Sequence, residues 1–245
     1  MLSNKEQKFI KSLKIKKYRL RERRFLVEGA KNVQELLNAD YEVDLLVCTS
    51  EHFPEIEQKC GKIRVELVSE NVLSQLGTFK TNDAVLAVVQ IRDFGPVNYD
   101  SDEQLFVLDG VGDPGNLGTI IRTLDWFGFQ RLLCSKDCAE FYHPKTIAST
   151  MGSFTRVQVQ YGDLEEVLSK MDRPVYGADA GGVSIYDAEI PSNGVVVMGS
   201  ESHGISPEIQ KLVSQNIGIP KVGNAESLNV GIATGIIASY LRMSK

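Results

Sequence analysis

The chain has 245 residues, enough for one large or two modest domains that each bury a core. With 42% hydrophobic and 24% charged residues it has the composition of an ordinary globular protein. No stretch approaches the roughly 20 apolar residues that a membrane-spanning helix requires. The net charge of −5 conceals an asymmetry: residues 5–24 hold ten Lys or Arg against Glu6 and Glu22, a local +8, so the rest carries −13. A basic segment on an acidic body suits a polyanion, because each phosphate neutralised releases counterions. The same charges also fit a solvated helix face, and charge alone does not separate the two.

The opening MLSNKEQKFIKSL lacks the apolar centre of a secretion signal. Glu6 and the scarcity of serine argue against an organellar presequence, which leaves the cytoplasm as the expected compartment. Cys48, Cys60, Cys134 and Cys138 form no C-x-x-C pair and no zinc spacing with the three histidines. Reduced thiols and a site without metal are expected.

In chain order, a basic amphipathic segment carrying Phe9, Ile10 and Leu13 on one face leads to the strand RFLVEG. AKNVQELLNA is helical, EVDLLVC a strand, PEIEQKC a short helix, KIRVELV a strand, ENVLSQLG a helix and AVLAVVQI a strand. Strands alternating with helices predict a mostly parallel sheet. DFGPVNYDSDEQ is polar and aperiodic and reads as a linker, so the expected domains are 1–93 and 105–245 joined by 94–104. The second domain repeats the pattern. QLFVLD, RLLCS, FTRVQVQY, PVYGADA, GVVVMG and NIGIPKV read as strands. GTIIRTLDWFG, HPKTIASTMG, DLEEVLSKM and SPEIQKLV read as helices, the last capped by Ser206 with Pro207 at its first position. ESLNVGIATGIIASYLRM is a long apolar helix that must bury its body against the sheet or a second chain.

Three strand-to-helix junctions carry chemistry: DGVGDPGNLG with Arg122 downstream, GSESHGIS, and IPKVGNAESLN. In an open parallel sheet such junctions converge where ligands bind. Two simpler readings fail. Gly110, Gly112 and Gly115 spell the dinucleotide fingerprint G-x-G-x-x-G, but Pro114 interrupts it where a free N–H is wanted. SESHG loosely resembles a nucleophile elbow around Ser202, but no histidine follows at the position that fold requires.

The three junctions together resemble the signature motifs of the SpoU (TrmH) family of RNA ribose 2′-O-methyltransferases in the SPOUT superfamily. Asn116, Gly118 and Arg122 match the first motif, and Gly199, Glu201 and Gly204 match the G-x-E-x-x-G of the second. Ile219, Pro220, Ser227, Leu228 and Asn229 match the third. Lys221 and Gly231 depart from it, standing where methionine and serine are common in the family. The first ninety residues resemble the substrate-binding domain that often precedes this catalytic domain.

The resemblance implies an α/β fold whose carboxyl-terminal segment threads a deep trefoil knot, and a homodimer with the site near its interface. It implies S-adenosylmethionine as cofactor and RNA as partner, ribosomal RNA ahead of transfer RNA, with a non-catalytic RNA-binding module as the rival reading. Gly199, Ile219 and Leu228 would supply backbone and apolar contacts to the cofactor. Arg122 would bind a substrate phosphate or the developing alkoxide, because a guanidinium does not readily give up a proton to act as base. The spacing of apolar residues around it predicts a largely buried helix, and in the site that the resemblance implies Glu201 would be the ion-pair partner that fixes Arg122. Asn116 would tie down the first loop or orient the arginine, and Ser227 and Asn229 would sit at the start of the last helix, where Ser227 could cap it and both could also contact the substrate.

Overall fold

A computed structural model describes residues 2–82, 84–95 and 103–243. Most of the expected linker, residues 96–102, lies outside the described residues. The chain forms two compact units, one of residues 1–93 together with 140–155, the other of residues 94–139 and 156–245.

In the first unit, α1 (Asn4–Ser12) and α2 (Lys16–Glu22) precede β1 (Arg24–Glu28), α3 (Ala30–Leu37), β2 (Val43–Cys48), α4 (Phe53–Cys60), β3 (Val65–Leu67), α5 (Glu70–Leu76) and β4 (Val85–Gln90). The strands lie in the order β1-β4-β2-β3. The expectation of a mostly parallel sheet is corrected here: only β2–β3 is parallel, and β4 runs antiparallel to both β1 and β2. The cause lies at the end of β1. The buried Glu28 carboxylate accepts the backbone N–H of Thr78 at 2.8 and 2.9 Å and that of Phe79 at 3.3 Å. The turn after α5 is thereby held where β1 ends, so β4 enters the sheet from that side and runs back between its neighbours. Its almost wholly buried VLAVVQ suits the central slot.

The basic amino-terminal segment is built into this unit. Ser3 and Glu6 close a capping box on α1, while Leu2, Ile10 and Leu13 enter the core with Leu26, Val47 and Leu86. Arg19, 1% exposed, donates to Glu140 at 3.1 and 2.7 Å and to the Leu13 carbonyl at 2.9 Å. Arg19 is therefore structural and leaves the set of cations available to a polyanion. Residues 140–155, which include α7 (Pro144–Thr150), pack in this unit through Tyr142 and Phe154 against Phe25 and Tyr41. Burial pushes the Tyr41 hydroxyl up to about 12.

The second unit holds β5 (Leu105–Leu108), α6 (Pro114–Trp126), β6 (Arg131–Ser135), β7 (Gln158–Gly162), α8 (Leu164–Ser169), β8 (Val175–Ser184), β9 (Val195–Met198), α9 (Pro207–Gln210), β10 (Gln215–Gly218) and α10 (Val230–Met243). All six strands are parallel, in the order β10-β8-β9-β5-β6-β7. The fully buried tetrads LFVL and VVVM make β5 and β9 the centre, covered on both faces as a parallel sheet requires. Helices α6 and α10 pack where Gly231 and Gly235 face Thr119 and Thr123. A Cβ at Gly231, where the family often has serine, would lie 3.2 Å from the Thr119 side chain and 3.1 Å from the Asn229 amide oxygen, a tight fit.

The four cysteines are free and buried. Among the described residues no helix is long and apolar enough to cross a membrane.

Candidate active site

The first junction turns directly out of β5. Asp109 accepts the Ser206 N–H at 2.7 Å, and Gly110 donates its N–H to the Ser135 hydroxyl at 3.0 Å. Asp113 caps α6, its carboxylate accepting the Asn116 N–H at 2.9 Å, with Pro114 at the first helical position. A helix terminus already filled by its own carboxylate repels a phosphate, so the glycine pattern here does not make a dinucleotide cradle. Beneath this loop the Cys138 thiol is lowered to about 7, chiefly by its hydrogen bond with Cys134, with Ser135 and the amides of Val111 and Gly110 assisting.

The second junction follows β9 and folds back at once. Ser200 and Gly204 exchange backbone hydrogen bonds of 2.9 Å each, and the Ser200 hydroxyl accepts the His203 N–H at 3.1 Å. Gly199 sits at the neck of this loop, where a Cβ would lie 2.2 Å from the Gly204 carbonyl carbon and 2.4 Å from the Ile205 nitrogen. No side chain fits against that backbone. Ser206 does occupy the cap position of α9, but its side chain makes no capping bond.

The third junction runs from β10 through residues 219–229 to α10. Its helix is capped by Asn229, and Ser227 is not the cap. The Asn229 side-chain oxygen accepts the N–H groups of Gly231 at 2.9 Å and Ile232 at 3.3 Å. The other end of the Asn229 amide donates to the Asn116 side-chain oxygen at 3.0 Å, and Asn116 Nδ2 donates to Glu201. One residue from each of the three junctions thus joins a single chain of hydrogen bonds.

That chain stands at the rim of a cavity of about 480 Å³, within the range of small-molecule and cofactor sites. Gly199, Ile219 and Leu228 line it, as do Glu201 and Ser227. Part of its wall comes from residues that none of the three sequence motifs marks. Between the pairs Asn216–Gly177 and Ile217–Val183 the β8 residues 178–182 loop out of the ladder, and Ala178, Asp179 and Ala180 face the cavity. The excursion is anchored by the Asp179 carboxylate, which accepts the Gly181 N–H at 2.7 Å. At Gly182 a Cβ would lie 2.6 to 2.7 Å from the backbone of Asn216 and Ile217. The signal is present in GADAGG, five small residues around one aspartate, where a strand would be expected to alternate.

Arg122 departs from expectation in two respects. Helix α6 buries Leu117, Ile120, Ile121 and Leu124, but Arg122 lies on its exposed face. Glu201 is bonded to Asn116 and makes no ion pair with Arg122. The guanidinium has no hydrogen-bond or ion-pair partner among the described residues and does not line the cavity. A helix that is buried on one face still presents the other to solvent, and the apolar neighbours of Arg122 occupy only the first of these.

A doubly covered parallel sheet, a cofactor-sized cavity beyond its strand ends and an amide–carboxylate network at the rim define an α/β enzyme that binds a nucleotide-like cofactor. Residues 103–239 match the SpoU rRNA Methylase family model, and residues 4–87 match the MRM3-like substrate binding domain. The chain belongs to the SpoU rRNA methylase family of S-adenosylmethionine-dependent RNA ribose methyltransferases. It is 28% identical to the Bacillus subtilis 23S rRNA (guanosine(2553)-2′-O)-methyltransferase RlmP over 98% of this chain and 96% of that protein. Among solved structures, a TrmH-family RNA methyltransferase structure from Porphyromonas gingivalis covers both chains completely at 35% identity with a TM-score of 0.86. An AdoMet-bound rRNA methyltransferase from Sinorhizobium meliloti covers 100% of this chain and 96% of its own at 28% identity with a TM-score of 0.88.

Small residues at strand ends, aliphatic walls and carboxylates at the rim fit S-adenosylmethionine, whose adenine needs a thin apolar slot and whose ammonium and sulfonium favour acidic neighbours.

Proposed function

We propose that this protein methylates a ribose 2′-hydroxyl of ribosomal RNA in the cytoplasm, as a homodimer. The observation that carries the reading is the convergence of Asn116, Glu201 and Asn229 at the mouth of the cavity lined by Gly199, Ile219 and Leu228. A relative of nearly full length that is named as a 23S rRNA methyltransferase supports ribosomal over transfer RNA.

When bound, the cofactor supplies an activated methyl group. The protein must orient the ribose and stabilise charge on its oxygen. Arg122, exposed and without a partner among the described residues, is free to hold a substrate phosphate or the developing alkoxide, while the proton leaves to a phosphate oxygen or water. The Asn229–Asn116–Glu201 chain holds the three junctions in register, so these residues act by positioning. Ser227, on the cavity wall, is available to the ribose.

In this reading residues 1–93 form the RNA-binding domain, 94–104 the linker and 105–245 the catalytic domain, which lends residues 140–155 to the first compact unit. Lys5, Lys8, Lys11, Lys16, Lys17, Arg21 and Arg23 are exposed on the first two helices and their flank, and supply the phosphate contacts. In this reading the carboxyl-terminal segment threads a trefoil knot. Trp126 is 84% exposed on α6, and Ile232 and Met243 are exposed on α10, an apolar surface that fits the face of a second copy.

The test is methyl transfer from labelled S-adenosylmethionine to ribosomal and transfer RNA purified from cells lacking this protein. Label entering 23S RNA supports the reading; label entering transfer RNA alone, or neither, refutes it.

A further inference from the structure

The described residues that line the cavity include three carboxylates, Asp179, Glu201 and Glu226, and one cationic side chain, Lys221. S-adenosylmethionine carries the complementary set: an ammonium and a sulfonium, both positive, and a single carboxylate. Lys221 follows Pro220 just beyond β10 and is exposed. It has no ion-pair or hydrogen-bond partner among the described residues, so its ammonium is uncommitted within them. The nearest sequence constraint is Pro220, whose ring fixes the backbone that carries Lys221 onto the cavity wall.

We infer that Lys221 is a cofactor-specificity residue, its ammonium taking the α-carboxylate of S-adenosylmethionine. The acidic groups are then left to the two positive centres, and each of the three charges on the ligand finds an opposite charge in the lining. An ammonium on a flexible stem is a point charge that tolerates the shallow, solvent-facing end of a cavity. The interaction therefore contributes discrimination for the amino-acid end of the ligand more than it contributes packing. A backbone phosphate of RNA is the other anion that a free lysine could meet at this rim, and a cofactor analogue without its carboxylate separates the two.

The inference rests on the cofactor assignment, which the wild-type measurement checks first. Binding of S-adenosylmethionine and of its decarboxylated analogue is measured by calorimetry on the full chain, on Lys221→Met and on Lys221→Arg. For S-adenosylmethionine, Lys221→Met is expected to weaken binding about tenfold, the usual scale for one charge-assisted hydrogen bond, and Lys221→Arg to restore most of it. For the decarboxylated analogue, wild type and Lys221→Met should bind alike, because the group that Lys221 recognises is absent. An equal loss for both ligands would show that the variant damages the cavity and overturns the inference. Unchanged affinity for S-adenosylmethionine with weakened RNA binding would assign Lys221 to phosphate and equally overturn it. A wild-type protein that binds neither ligand would remove the cofactor assignment itself.

Discussion

Replacing Gly199 with alanine tests whether the second junction is shaped by close backbone packing. The added methyl would lie 2.2, 2.4 and 2.5 Å from backbone atoms of Gly204 and Ile205, well inside van der Waals distance. No flexible side chain is available to yield, so the Ser200–Gly204 bridge must open or β9 must shift. Overpacking of this kind costs about 2 kcal/mol, which for a chain of this size lowers the melting temperature by about 4 to 8 °C. The same displacement moves Gly199, Ser200 and Glu201 together in the cavity wall, so S-adenosylmethionine affinity should fall as well. Gly223 provides the control: it lines the same cavity, nothing lies within 4 Å of its Cβ position, and alanine there should leave stability unchanged. Thermal unfolding and calorimetry on the two variants give the comparison. Equal melting temperatures and equal cofactor affinities for Gly199→Ala and wild type would refute the reasoning.

Other outcomes follow from the same geometry. Arg122→Lys keeps the charge but loses the planar fork, and should lower methyl transfer by about 10²- to 10³-fold while cofactor affinity, measured separately, stays within a factor of two or so. Because Arg122 does not line the cavity, a parallel fall in cofactor binding would contradict this. Arg19→Ala leaves the Glu140 carboxylate short of its buried partner and should destabilise the protein by about 3 kcal/mol in denaturant titration, whereas a change within error would show the pair to be incidental. Replacing Lys8, Lys11 and Lys16 with glutamine should flatten the salt dependence of RNA binding, by about 0.7 in the log–log slope for each single-strand phosphate no longer neutralised, with melting unchanged. An unaltered slope would place the RNA-binding surface elsewhere.

The parts of this fold that can be read from sequence are those set by local rules. Hydrophobic runs bounded by turns locate the six parallel strands, while Gly199, Ile219 and Leu228, which line the cavity, are marked by resemblance to the family motifs and not by any local rule. The basic amino-terminal segment reads as a phosphate-binding surface from charge alone, yet Leu2, Ile10, Leu13 and Arg19 tie it into the core through partners far along the chain, out to Glu140. The direction of β4 is equally hidden, since it depends on where Glu28 pins a turn fifty residues later. Ser227 is the cap that the sequence suggests, but the helix begins beyond it, and Asn229 can satisfy two N–H groups while its amide reaches Asn116. For Arg122 periodicity identifies a helix with one buried face; which face the arginine occupies, and that Glu201 turns to Asn116, are properties of packing. The β8 excursion has a local signature in GADAGG, but its consequence depends on the register with β10.

The central claim is that the three junctions present a ribose 2′-hydroxyl to S-adenosylmethionine. Ribosomal RNA treated with the purified protein and the cofactor, then hydrolysed in alkali, reports this directly, because a 2′-O-methyl group removes the nucleophile and leaves one missing band in the ladder. A single gap that disappears with Arg122→Ala is the predicted result. Incorporated methyl label with an unbroken ladder would place the group on a base and contradict the account.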